Sequence, residues 1–132
     1  MLNRRMDDDN FFTVINCIDG RVQLPVIEYI KSEFNVEYVD VITEPGPNMV
    51  LAERTDIVTV GSILRKVDLS LERNKSLGVA VSGHFDCKAN PVEEKTHKEQ
   101  IEKACDFLND QYENMKTVGL WVSRLWVVEK IC

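Results

Sequence analysis

With 132 residues, 44% of them apolar and 29% charged, the chain has the composition of an ordinary soluble domain, long enough to bury a core. Its formal net charge of −6 argues against nucleic acid or an anionic membrane as a partner, because both need clustered Lys and Arg. No apolar run approaches the roughly 20 residues of a membrane span.

Residues 1–10 are polar and read as a flexible arm, ahead of a single domain over 11–132. The arm has no apolar core of a secretory signal. The four cysteines then suit ligands or buried thiols better than disulfides. A cytoplasmic protein is expected.

Phe11 to Cys17 form a first strand. Val22, Val26, Ile27, Ile30 and Phe34 fall at helical spacing, with Pro25 suited to a first turn. Tyr38 to Thr43 form a second strand, and Glu44 to Asn48, with two prolines and a glycine, read as a loop. Thr55 or Asp56 caps a second helix, whose buried stripe is Ile57, Val60, Ile63, Leu64, Val67 and Leu71. Residues 77–83 form a third strand covered on both faces, and Gly83 allows a sharp turn at its end. A charged helix from Glu93 to Met115 carries Ile101, Ala104, Cys105, Leu108 and Tyr112 on one face. On that reading Cys105 is core, His97 is solvated surface or, as an alternative, a proton shuttle, and Cys132 is a frayed thiol. Gly119 stops the connection before a fourth strand within 120–131, which Trp121 and Trp126 pack, unless they form a subunit contact.

Alternating strands and helices predict an α/β fold, a three-layer sandwich around a mainly parallel sheet of roughly four to five strands. In such sheets ligands sit beyond the carboxyl ends of the strands, where the strand order reverses. If strands one and three are neighbours, Cys17 meets His84 and Cys87 at that edge.

His84 and Cys87 lie three residues apart, offering an imidazole nitrogen and a thiolate. Two ligands do not complete a zinc site, and Cys17 is the candidate third. A Cys₂His site with its fourth position open is of the catalytic type, and zinc lowers the pKa of bound water from ~16 to about 7. The plainer alternative is that each cysteine is simply buried. Asp19 follows Cys17 by two residues, where its carboxylate is placed to accept a hydrogen bond from metal-bound water. Arg21 is placed to hold Asp19 in a bidentate pair, ionised and off the metal. The alternative there is a helix-entry aspartate beside a surface arginine. No dinucleotide-binding or phosphate-binding glycine loop occurs.

Cys17-Ile18-Asp19-Gly20-Arg21, followed by Gly83-His84-Phe85-Asp86-Cys87, resembles the β-class carbonic anhydrases. That family carries Cys-x-Asp-Ser-Arg after its first strand and Gly-His-x-x-Cys-Gly after its third. Here Gly20 stands for the serine and Lys88 for the last glycine. The resemblance covers about residues 11–90. It implies one Zn²⁺ per chain held by Cys17, His84 and Cys87, with Asp19 and Arg21 as the catalytic dyad. It also implies strand order 2-1-3-4 and a homodimer or larger homo-oligomer. The implied reaction is reversible hydration of carbon dioxide to bicarbonate, with an apolar pocket near Val22, Met49 or Phe85. Hydrolysis of carbonyl sulfide or carbon disulfide is an alternative on the same scaffold. Two others are a non-catalytic zinc-binding homologue and an enzyme using Cys17 as a nucleophile.

Overall fold

A computed structural model describes residues 10–132. Most of the expected arm, residues 1–9, lies outside the described residues. Asn10 is buried, and its carbonyl accepts from the backbone N–H groups of Glu37 (3.1 Å) and Tyr38 (2.9 Å).

Strands β1 (Phe11–Asn16), β2 (Tyr38–Thr43), β3 (Gly78–His84), β4 (Lys116–Val122) and β5 (Val128–Lys130) form one sheet in the order β2-β1-β3-β4-β5. The first four run parallel, and β5 pairs antiparallel with β4. The helices are α1 (Gln23–Phe34), α2 (Pro47–Glu53), α3 (Ile57–Arg73) and α4 (Glu94–Gln111). This is the expected α/β sandwich with its mainly parallel sheet, and the order of the first four strands is the expected 2-1-3-4.

Side chains alternate across a strand, which explains the layers. Phe12 and Val14 of β1, Ala80 of β3 and Leu120 of β4 join Val26 and Ile30 of α1 in one core. Ile15, Val79 and Val81 point the other way, onto Ile63 and Val67 of α3, Leu51 of α2 and Leu108 of α4. Burial on both faces is why β1 and β3 read as continuous apolar runs. Each such fully buried aliphatic side chain contributes about 1.5–3 kcal/mol, so packing rather than intrinsic propensity holds the helices in place.

Several local readings change. Residues 44–48 are not loop throughout: Gly46 adopts a left-handed φ of 58°, and Pro47 opens α2. A proline is tolerated there because the first turn leaves its N–H groups unpaired anyway. Asp56 caps α3 by accepting from the Thr59 N–H (3.1 Å). Ile57 is 76% exposed rather than part of the buried stripe, which runs Val60, Ile63, Val67 and Ser70. The charged helix ends at Gln111, and residues 116–132 hold two short strands around a turn instead of one.

Two glycines serve close packing rather than turns. Gly83 lies within β3, and a Cβ there would stand 2.9 Å from Asn48 Nδ2. Gly119 lies within β4, and a Cβ there would stand 2.5 Å from Ile101 Cγ2 and 2.7 Å from Cys132 Sγ. Gly119→Ala is therefore expected to destabilise the fold by about 1–3 kcal/mol through overpacking. Urea titration of the variant checks this, and an unchanged midpoint would mean that α4 yields without cost.

Candidate metal centre

β1 and β3 are paired neighbours, with Thr13 opposite Val79 and Ile15 opposite Val81. The strand order reverses between them, so their carboxyl ends form the crevice where α/β sheets bind ligands. Cys17 leaves β1 there, and His84 ends β3. Asn16 fastens the two ends together: its Oδ1 accepts from Ser82 Oγ (2.6 Å), and its Nδ2 donates to the Val22 carbonyl (3.3 Å). Gln23 Nε2 donates to the Cys17 (2.7 Å) and Asp19 (2.9 Å) carbonyls, closing the loop back over itself.

Cys17, His84 and Cys87 are all buried, and their ligand atoms lie within 4.8 Å of one another. The two sulfurs are 3.9 Å apart. Two Zn–S bonds of about 2.3 Å at a tetrahedral angle would set sulfurs about 3.8 Å apart. His84 Nδ1 lies 2.8 Å from the Phe85 carbonyl. Donation there leaves Nε2 as the atom free to accept. His84 Nε2 is buried without a hydrogen-bond partner among the described residues. A buried orphan acceptor facing two thiols fits a soft divalent cation such as zinc.

The two cysteines titrate as a pair. The Cys87 thiol hydrogen-bonds to Cys17 and holds the Cys17 pKa well below the ordinary thiol value, against the effect of burial. Cys87 is pushed the other way by its bond to Cys17 and by burial. A cation in the site would replace the shared proton, so metal affinity must fall with pH.

Asp19 and Arg21 form a two-pronged pair. Arg21 Nε donates to Asp19 Oδ1 (3.0 Å), and Nη2 to Oδ2 (2.7 Å). The Arg21 backbone N–H also donates to Oδ1 (2.9 Å). Both carboxylate oxygens thus accept from Arg21, and Asp19 stands outside the Cys–His–Cys cluster. The Arg21 hydrogen bond lowers the Asp19 pKa from 3.8 to about 2.

Asp86, which no spacing in the sequence marks out, is part of this arrangement. It takes a left-handed φ of 60°, which aspartate tolerates better than most residues. Its carboxylate accepts from Arg21 Nη1 (3.2 Å) and Lys88 Nζ (3.0 Å), and its carbonyl from Arg21 Nη2 (3.1 Å). Arg21 also stacks 4.8 Å above the Trp126 ring. The guanidinium therefore ties the first motif to the second and to the turn before β5.

His97 is not solvated surface: it is 1% exposed. Its Nδ1 lies 3.0 Å from Asn48 Nδ2, and its ring packs at 5.2 Å on Trp121. Asn48 Nδ2 and Asn90 Nδ2 both donate to Gln100 Oε1 (3.0 and 2.7 Å). Burial lowers the His97 pKa. A cavity of about 440 Å³ opens beside Cys87, walled by Phe85, Pro91, Val92, His97 and Trp121 together with the charged Asp86, Lys88, Glu93 and Glu94. Of the expected pocket residues Phe85 lines it, whereas Val22 is fully buried in the α1 core.

Residues 7–132 match the family described as "Putative carbonic anhydrase". No curated protein matches the chain. Among solved structures, a carbonic anhydrase from Glaciozyma antarctica superposes with a TM-score of 0.61 at 15% identity, over 91% of this chain and 81% of that one. Tetrameric β-carbonic anhydrases from the ascomycete Sordaria macrospora give 0.62 at 12%, over 92% and 80%. The β-carbonic anhydrase of Aspergillus fumigatus gives 0.54 at 11%, over 92% and 75%. At these identities the likeness is one of fold.

Proposed function

The chain belongs to the carbonic anhydrase family that its residues 7–132 match, and from that membership we propose that it is a lyase hydrating carbon dioxide reversibly to bicarbonate. Cys17, His84 and Cys87 hold one zinc ion, with Asp19 and Arg21 as the catalytic dyad. The observation that carries the reading is the buried His84 Nε2, without a hydrogen-bond partner among the described residues, beside two sulfurs 3.9 Å apart. Bound there, zinc supplies Lewis acidity that makes water nucleophilic near neutral pH.

The chain's own residues do the rest. Asp19 accepts the hydrogen bond that orients the attacking water, and Arg21 keeps that carboxylate ionised and fixed. Asp86 and Trp126 keep Arg21 in place in turn. The cavity beside Cys87, with Phe85 and Trp121 in its wall, gives an apolar gas a place to lodge.

We place the protein in the cytoplasm, where thiol ligands stay reduced, and propose a homodimer or larger homo-oligomer. No helix among the described residues is long and apolar enough to cross a membrane. Ile18, Leu24 and Leu125 are 62%, 68% and 75% exposed on the segments around the site. Such side chains suit a subunit contact if they form one patch. Sedimentation should show an assembly larger than one chain, and a monomer at micromolar concentration would remove this part of the reading.

Stopped-flow carbon dioxide hydration on zinc-loaded protein tests the function. A rate well above the uncatalysed one supports it. Bound zinc with turnover of carbonyl sulfide or carbon disulfide alone would move the assignment to hydrolysis, and zinc with no turnover of any of the three would make the chain a non-catalytic homologue.

The depressed pKa of Asp19 gives a second check. A carboxylate lowered from 3.8 to about 2 contributes its stability fully above about pH 4 and loses it as pH falls through 2. The Tm difference between the natural chain and Asp19→Asn should therefore be constant from pH 5 to 8 and shrink between pH 4 and 2. A difference that persists at pH 2 would mean that the ion pair is not its source.

A further inference from the structure

Cys105 and Cys132 take no part in the zinc site. Cys105 sits on the inner face of α4, 6% exposed, and Cys132 lies just past β5 and is exposed. Their sulfurs are 2.9 Å apart with a hydrogen bond between them. The backbone brings them together. The Gly119 N–H donates to the Cys132 carbonyl (3.1 Å), and the Gly119 carbonyl accepts from the Ile131 N–H (2.7 Å). Gly119 also leaves the space the sulfurs fill, since a Cβ there would stand 2.7 Å from Cys132 Sγ and 2.9 Å from Cys105 Sγ. Three elements thus converge on one sulfur pair.

We propose that Cys105 and Cys132 are a redox modification site, forming a reversible disulfide by exchange with a small-molecule disulfide such as oxidised glutathione. The Cys132 thiolate attacks one sulfur of the oxidant, releasing one glutathione thiolate and leaving a mixed disulfide. Cys105 then gives up its proton and attacks the Cys132 sulfur, and the second glutathione leaves. Two protein thiols are oxidised to one disulfide, and one oxidant disulfide is reduced to two thiols. The roles follow exposure. Cys132 is the exposed residue of the pair, and the Cys105 thiol beside it lowers its pKa, which favours the attacking thiolate. Cys105 is shielded, and the Cys132 contact and burial raise its pKa, which keeps it from reacting with the reagent first. Once Cys132 is in the mixed disulfide that contact no longer holds the Cys105 proton, and Cys105 can lose it and attack. The bond would tie α4 to the end of the β4–β5 hairpin across 27 positions of sequence and leave Cys17, His84 and Cys87 untouched.

The test is to equilibrate the zinc-loaded full chain with oxidised glutathione, quench by alkylation, and map the peptides by mass. The expected product is one cross-linked peptide pair joining Cys105 and Cys132. It should raise Tm by about 5 °C or more, reversibly with dithiothreitol and not in Cys132→Ser. In Cys105→Ser, Cys132 should instead trap glutathione as a stable adduct. Recovery of Cys105 as an alkylatable thiol after oxidation and unfolding, with glutathione left on Cys132, would overturn the proposal.

Discussion

Replacing Cys17 by serine is expected to lower bound zinc from about one ion per chain to a trace, and carbon dioxide hydration to the uncatalysed rate. The size of the effect follows from the donor set. Zinc needs three protein ligands in a site of this type, and a serine hydroxyl does not ionise near neutral pH as a thiol does. His84 and Cys87 alone cannot hold the ion against water. The protein itself should survive: Cys17 is buried at a strand end, and one hydroxyl left there costs about 1–3 kcal/mol. Zinc content, a thermal melt and stopped flow on the same sample separate the effects. Cys87→Ser should behave alike, whereas Cys105→Ser, which lies off the site, should keep both zinc and rate. A Cys17→Ser protein that retained full zinc would exclude Cys17 as a ligand, whatever its rate.

The second large effect is expected at Asp19. Asp19→Ala should keep zinc, because Asp19 stands outside the Cys–His–Cys cluster, yet lose about a hundred-fold or more in hydration rate. Arg21 binds both carboxylate oxygens and the backbone N–H of Arg21 caps one of them, so the group meets the attacking water in one fixed orientation. Arg21→Ala should also slow the reaction with zinc retained, since it frees the Asp19 carboxylate to leave that orientation. An Asp19→Ala enzyme running at full rate would remove Asp19 from the mechanism. Loss of zinc in that variant would instead make the carboxylate a support of the metal site.

Much of the site could be read from the chain because its chemistry is local in sequence. Cys17, Asp19 and Arg21 share one loop, and His84 and Cys87 share another. Each loop follows an apolar run whose burial on both faces is a strand signature. The helices showed their inner faces through spacing, except at Ile57, which the first turn of α3 leaves exposed to solvent. Gly119 misled because a glycine signals either a chain break or a close approach, and only the side chain packed over it distinguishes them. Pro47 misled for a similar reason, since proline is as welcome at a helix start as in a loop.

The sequence by itself determined the layer architecture and the residues that carry the proposed chemistry, because periodic burial and short-range motifs are properties of consecutive residues. Tertiary structure alone decided what those residues meet. It brought Asp86 and Trp126 to Arg21, buried His97 against Asn48 and Trp121, and set Cys132 on Cys105. Those contacts join segments tens of residues apart, and no local pattern encodes them. They exist because strand order and helix packing bring the segments within hydrogen-bonding distance.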